Sequence, residues 1–158
     1  MTDLNRRRFL RGTGAAIAVG VLAGCTGNGN GNGGGDGPPE DIENHLSDAN
    51  NYGGSLEDMT GESEVTIDVG TGSNGYAFDP AAVRISSGTT VTWEWTGEGG
   101  GHNVASVEGS ESDFSSGDRV DEEGHTYEQS FDSTGNQLYV CEPHMAQGMK
   151  GAIEVVEE

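Results

Sequence analysis

The segment from Cys141 to Met149 carries three side chains that bind soft metal ions. These are the thiol of Cys141, the imidazole of His144 three residues later and the thioether of Met149 five residues after that. Copper that cycles between Cu(I) and Cu(II) is held by two imidazoles and a thiolate, with a weak and long axial thioether. The segment supplies three of these four groups. We therefore predict that it is a metal-binding loop, called the metal loop below.

The second imidazole has to come from elsewhere in the chain. His102 follows shortly after a strand pattern that ends at Trp95, where a sandwich could bring it beside the metal loop. It is the strongest candidate for the second imidazole ligand. His45 lies in an irregular segment and His125 in a predicted turn, so we expect both to be exposed to solvent.

Two choices at this site stay open from the residues alone. Met145 and Met149 both offer a thioether for the axial position. Zinc also binds thiolate and imidazole, so it competes with copper for the same groups.

Two neighbouring residues are predicted to support the ligands. Asn103 is expected to hydrogen-bond across to the metal loop and fix its geometry, the alternative being an ordinary turn residue. Pro143 has no N–H, so it limits the donors available to the cysteine sulfur and stiffens the loop. The alternative for Pro143 is a plain turn proline.

The first 24 residues have the features of an export signal. Arg6 and Arg7 form the pair of a twin-arginine motif, and the apolar stretch over 14–23 is too short to span a bilayer. That stretch ends in Leu-Ala-Gly-Cys, the pattern of a lipobox, which predicts cleavage before Cys25 and a diacylglycerol on its thiol. We expect residues 1–24 to be removed and Cys25 to anchor the chain on the membrane.

Composition changes twice before the folded domain begins. Residues 25–40 are rich in Gly and Asn and cannot bury enough apolar surface to become ordered, so we predict a flexible, disordered tether. Residues 41–61 show no sustained period and are interpreted as an irregular lead-in segment, with one helical turn as an option. The functional domain is then expected over 62–158.

The charge of the chain is strongly negative. The whole sequence carries −20, and because residues 1–24 carry +3, the remainder carries −23. Nucleic-acid binding needs Lys and Arg, so this balance excludes it. Molar salt would screen the self-repulsion, which favours a halophilic source. The alternative is an ordinary acidic protein that docks a basic partner.

Alternating apolar residues predict strands throughout the domain. The pattern is clear at 65–69, 83–85 and 91–95, and at 127–131 it is interrupted by Gln129. Further strands are expected at 138–141 and 152–156. Short strands with Gly-rich turns and no long helix indicate an all-β fold, a β-sandwich around one core.

Taken together, these motifs resemble the plastocyanin and halocyanin branch of the cupredoxins, the blue copper proteins, over roughly residues 45–158. The similar motifs are His102-Asn103, Cys141-Glu142-Pro143-His144, Gly148-Met149, Tyr76-Ala77-Phe78-Asp79-Pro80, the Gly-Thr-Thr-Val-Thr-Trp run at 88–93 and Met-Lys-Gly at 149–151. One departure is Val140, because plastocyanins generally have an aromatic residue immediately before the ligand cysteine.

The resemblance implies a Greek-key sandwich of about eight strands that binds one copper ion at one end. It implies His102, Cys141, His144 and Met149 as ligands, and it leaves Met145 to pack near the exposed edge of His144. It also implies a monomeric electron carrier, not an enzyme, which passes single electrons between redox partners at the outer face of the membrane. The rival hypothesis is an exported copper-trafficking protein. A copper enzyme is disfavoured, because further copper sites would need more histidines than His45 and His125 provide.

Overall fold

The computed structural model describes residues 37–158. The predictions about Arg6, Arg7, Cys25 and most of the tether therefore fall outside the described residues. Within residues 37–158, no helix combines the length and the apolar character needed to cross a membrane.

Two β-sheets form the body of the domain. One sheet has the strand order β1-β4-β9-β8-β6 and the other β3-β2-β5-β7. The strands are β1 (Glu57–Asp58), β2 (Glu64–Thr71), β3 (Ala77–Asp79), β4 (Ala82–Ser86), β5 (Thr89–Trp95), β6 (Ala105–Ser106), β7 (Thr126–Phe131), β8 (Gly135–Val140) and β9 (Lys150–Val156). The all-β sandwich is confirmed, and its described part has nine strands where about eight were expected, two of them only two residues long.

Alternation in the sequence is the reason that these segments form strands with one buried face. In β2, Val65, Ile67 and Val69 are buried while the residues between them are exposed. β2 pairs with β5 in parallel, and Trp93 of β5 lies at the centre of the core. Its ring stacks on Tyr127 at a centroid distance of 5.5 Å. The apolar faces of the two sheets therefore close one aromatic-rich core.

Strand pairing determines where the metal loop lies in the fold. β4 pairs with β9 in parallel, and β9 pairs with β8 antiparallel. The metal loop is the connection between β8 and β9, so its two ends are held side by side by a sheet. The paired strands therefore hold both ends of the loop in fixed positions.

The lead-in segment is more ordered than the sequence indicated. A helix, α1, spans Glu40–His45, and β1 pairs with β4. Ile42 and Leu46 are fully buried and pack with Ala82, Leu138 and Ala152. Their spacing of four residues is the helical signal, but a six-residue helix is too short to show a sustained period.

The expected exposure of His45 and His125 is wrong. His45 is half-buried, and its Nε2 lies 3.0 Å from the carbonyl oxygen of Tyr139. His125 is also half-buried, with its ring edge-on to Trp95 at a centroid distance of 4.8 Å. Both contacts are formed with residues far along the chain, and local composition does not reveal them.

Candidate metal centre

The backbone of His102 is held on both sides. Its N–H donates to the carbonyl of Val120 at 2.9 Å, and its own carbonyl accepts from the N–H of Val120 at 2.8 Å. The indole Nε1–H of Trp95 donates to the same His102 carbonyl at 3.0 Å. The ring is fully buried, as expected for a side chain that follows a core strand and points back into the sandwich. These contacts leave His102 little freedom to move.

The metal loop folds as a short 3₁₀ helix, Glu142–Gln147, between β8 and β9. The N–H of Cys141 donates to the carbonyl of Met149 at 2.9 Å, so these two residues face each other across the base of the loop. The N–H of His144 donates to the Cys141 carbonyl at 3.1 Å, and the N–H of Met149 donates to the His144 carbonyl at 3.2 Å. The loop therefore has its own internal hydrogen bonds.

Three of the predicted ligand side chains converge. The Nδ1 atoms of His102 and His144 lie 3.0 Å apart, and each lies 3.6 Å from Sγ of Cys141. Residues 42 positions apart in the sequence thus place two imidazole nitrogens and one sulfur at the corners of a small triangle. This cluster is the one group of this kind among residues 37–158.

Hydrogen bonding fixes which nitrogen of His102 faces the triangle. Nε2 of His102 lies 2.6 Å from the carbonyl oxygen of Glu98. A carbonyl oxygen only accepts, so Nε2 carries the proton and Nδ1 presents its lone pair. Burial lowers the pKa of both His102 and His144, and the nearby charge of Arg119 lowers that of His144 further. Both imidazoles are therefore held in the neutral form that binds metal ions.

The thiol of Cys141 is fully buried and is a free cysteine. Burial raises its pKa, while hydrogen bonds from the backbone amides of Asn103 and His144 lower it and partly offset the effect of burial. A metal ion that binds here has to displace the thiol proton, because the thiolate is the ligand. Pro143, which has no N–H, lies between the cysteine and one of these two donors.

The two methionines of the loop lie in different environments. Met149 is fully buried beside Cys141, whereas Met145 is 48% exposed. A buried thioether next to the cysteine fits an axial ligand, and the exposed one fits the surface near His144. The assignment of Met149 as the axial ligand stays a prediction.

Asn103 joins the two halves of the site. Its Oδ1 accepts from the N–H of Glu142 at 2.9 Å, and its Nδ2 donates to a carboxylate oxygen of Glu142 at 2.6 Å and to the carbonyl of Gly117 at 3.1 Å. The predicted hydrogen bond from Asn103 to the metal loop is thereby present. Because Asn103 follows His102 and Glu142 follows Cys141, the side chain connects one ligand segment to the other.

Sequence reasoning missed one aromatic contact at the site. The ring of Tyr76 stacks on His144, with centroids 4.3 Å apart and an angle of 23° between the planes. In the sequence, the Tyr-x-Phe-x-Pro stretch indicates only a similarity to the family. Its position just before β3 gave no indication that Tyr76 would lie on a ligand 68 residues away.

A family model described as copper binding proteins of the plastocyanin/azurin family matches residues 65–156. The chain belongs to this family. It is 56% identical to a halocyanin from Natronomonas pharaonis, over 98% of this chain and 99% of that protein. A plastocyanin from Scenedesmus fuscus is 37% identical, over 58% of this chain and 99% of that protein.

Among solved structures, a copper-containing nitrite reductase from Thermus scotoductus SA-01 aligns with a TM-score of 0.50 and 24% identity. The alignment covers 72% of this chain and 26% of that one. At this identity the similarity shows the sandwich fold alone.

The donor set of this member of the plastocyanin/azurin family fits one copper ion. Two neutral imidazoles and a cysteine sulfur are the groups that a trigonal blue-copper site uses. Among the described residues their donor atoms all lie within 4.8 Å of one another, and the tautomer of His102 is fixed by Glu98. The resemblance stated from the sequence and the single expected copper ion are both confirmed.

Proposed function

We propose that the chain is a blue-copper electron carrier that passes single electrons between redox partners. The observation that carries the proposal is the triangle of Nδ1, Nδ1 and Sγ atoms formed by His102, His144 and Cys141. The halocyanin and plastocyanin relatives support the same function. Copper supplies a one-electron Cu(I)/Cu(II) couple when it is bound.

The protein's part is to keep the ligands still. We propose His102, Cys141 and His144 as the three equatorial ligands and Met149 as the weak axial ligand, with Asn103 and Pro143 supporting them. His102 and Cys141 are fully buried, and backbone hydrogen bonds hold both segments. A site whose ligands cannot rearrange needs little reorganisation when its charge changes by one. Four protein ligands would leave no open coordination position for a substrate, so the proposal involves no catalysis.

His144 is the ligand through which we propose that electrons enter and leave. Its side chain is half-buried, in contrast to the fully buried His102 and Cys141. The neighbouring Met145 is exposed. A partner that docks beside Met145 would therefore lie next to the one converging ligand that is not fully buried.

We further propose that the domain is attached to the outer face of the cell membrane as a monomer. The support is the twin-arginine pair Arg6 and Arg7, the lipobox ending at Cys25, and the similarity to the halocyanin over 98% of the chain. Two acyl chains on Cys25 would give stable anchoring, whereas one chain is marginal. Cell fractionation tests this: Cys25→Ser should be released or left unprocessed, and unchanged membrane retention would contradict the anchor.

An optical titration tests the copper site. Adding Cu(II) to the purified domain should give intense visible absorption from the thiolate–copper bond. Cys141→Ser and His102→Gln should lose it, while the matched control His125→Gln should keep it. A colourless wild type that binds Zn²⁺ instead would favour the zinc hypothesis, and a coloured Cys141→Ser would refute the assignment of the ligand.

A further inference from the structure

The side chain of Asn50 in the lead-in segment bridges two parts of the metal site. We propose that Asn50 is a positioning residue, which holds the metal loop against the segment that carries Tyr76. The consequence for copper rests on the proposed function. The mechanical role of Asn50 does not, and it can be measured without copper.

Three hydrogen bonds place Asn50 at this junction. Its backbone N–H donates to the carbonyl of Gly148 at 2.8 Å. Its amide Nδ2 donates to the carbonyl of Gln147 at 2.7 Å and to the carbonyl of Tyr76 at 2.9 Å. An amide NH₂ has two hydrogens. One therefore binds the metal loop and the other binds the segment before β3.

These two segments carry the two rings of the stacked pair. Gln147 lies three residues after His144 in the same 3₁₀ helix, and Tyr76 stacks on His144. By joining the two backbones, the Asn50 amide fixes the distance between the Tyr76 ring and the imidazole. Pairing with β2 holds β3, and internal hydrogen bonds hold the metal loop, so the Asn50 amide acts on the link between the two segments.

The lead-in segment also fits closely against the end of the loop. Gly148 has a φ of 88°, and a Cβ at this position would lie 2.6 Å from the carbonyl oxygen of Asp48. Asp48 in turn accepts a hydrogen bond from Nζ of Lys150 at 2.7 Å. Only glycine allows this approach. Gly148 thus allows the lead-in segment to pack closely against the end of the metal loop.

Asn50 lies outside the part of the chain that matches the copper-protein family model. Asn50 precedes residues 65–156, over which the copper-protein family model matches. Its hydrogen bonds are between neutral groups, so molar salt does not screen them as it screens the ion pair of Asp48 and Lys150. The lead-in segment therefore gives the metal loop additional hydrogen bonds that persist at high salt.

Hydrogen exchange in the metal-free protein tests the positioning role of Asn50 directly. Asn50→Ala removes both amide bonds but keeps the backbone N–H to Gly148, and Asn50→Asp keeps the shape without donors. In both variants the amides of Gly148 and Met149 should exchange about tenfold faster, as the loss of two net hydrogen bonds implies. The amide of Trp93 in the core should not change. Equal acceleration throughout the domain, or none in the loop, would overturn the proposal.

Asn44 provides the matched control. It is exposed in the same lead-in segment, and its side-chain amide has no partner within residues 37–158. Asn44→Ala should leave loop exchange unchanged, and the same acceleration in this variant would also overturn the proposal.

Copper release gives the second readout. Loss of the visible band to a strong chelator in 2 M KCl should be about tenfold faster for Asn50→Ala than for wild type, and unchanged for Asn44→Ala. Equal release from Asn50→Ala and wild type would overturn the copper consequence. A wild type without a visible band would instead refute the proposed function and leave hydrogen exchange to decide the positioning role.

Discussion

The phenol ring of Tyr76 lies on the imidazole of His144, with 4.3 Å between the ring centroids and 23° between the planes. His144 is the least buried of the three converging ligand residues, so this ring covers one of its faces. Tyr76 also lies edge-on to His102 at a centroid distance of 6.5 Å. One aromatic side chain thereby contacts both imidazoles of the site.

The stack should slow the loss of metal from the site. A stacked aromatic pair contributes about 0.5–1.5 kcal/mol beyond its buried area. Tyr76→Leu should therefore release copper to a chelator roughly three- to tenfold faster than wild type, whereas Tyr76→Phe keeps the ring and should match wild type. Release is measured as decay of the visible band. A Tyr76→Leu rate equal to that of Tyr76→Phe would show that the stack has no role in retention.

The sequence predicted the parts of this protein that depend on local pattern. Alternation in β2 and β5 gave the strands, because every second residue of each packs into the core. The spacing within Cys141–Met149 gave three ligand candidates, because a short loop between paired strands cannot separate them. His102 was found because it follows a core strand closely. Copper followed from the resemblance to the blue copper proteins, because the donor groups alone also suit zinc.

Apart from the short helix α1, the missed features are contacts between segments distant in sequence. Tyr76 stacks on His144, Asn50 binds the carbonyl of Gln147, and His45 binds the carbonyl of Tyr139. Each depends on how the lead-in and the segment before β3 pack against the metal end of the sandwich. No local period encodes that packing, and an irregular polar segment gives no reason to expect buried contacts.

His45 should make the stability of the domain depend on pH. Burial lowers the pKa of its imidazole below 6.5, and the charge of Lys150 lowers it further. The folded state then binds a proton less readily than the unfolded state, so the free energy of unfolding falls as pH falls from 6.5 through the lower folded pKa. His45→Gln keeps an N–H donor for Tyr139 but does not titrate.

The comparison is made with the metal-free protein, in which the other histidines titrate alike in wild type and variant. Urea unfolding at pH 7.5 and at pH 5 should show that wild type loses more stability than His45→Gln. Equal losses would mean that His45 is free to protonate in the folded state.

Like charges lie side by side on the outer face of the second sheet. Asp68 of β2 pairs in register with Asp79 of β3 on one side and with Glu94 of β5 on the other, and all three are exposed. Like charges directly opposite each other destabilise a sheet. Asp68→Asn should therefore raise the melting temperature in dilute buffer, and the gain should shrink in 2 M KCl, where the Debye length is only a few ångströms.

The same experiment measures the effect of the whole negative charge. The melting temperature of wild type should itself rise between dilute buffer and 2 M KCl, because screening relieves self-repulsion. Glu108→Gln removes one exposed charge from a loop and is the control for net charge alone. If Glu108→Gln stabilises as much as Asp68→Asn, the adjacent carboxylates of Asp68, Asp79 and Glu94 have no effect beyond net charge. A wild-type melting temperature that does not depend on salt would contradict the screening argument.

Met145 provides the test of where electrons leave the protein. Its side chain is 48% exposed and follows His144 directly in the 3₁₀ helix. If partners dock on this surface, a charge at position 145 adds desolvation cost and repulsion to docking without removing a proposed ligand. Met145→Glu should therefore keep the visible band while electron self-exchange, measured by NMR line broadening at high salt, slows roughly tenfold.

The matched control is Ser133→Glu, which adds the same charge at an exposed position before β8, at the end of that strand opposite the metal loop. High salt screens long-range steering, so a difference between these variants reports short-range contact at the docking surface. Equal rates with intact spectra would place the exit elsewhere on the domain. Loss of the visible band in Met145→Glu would instead make Met145 the axial ligand in place of Met149.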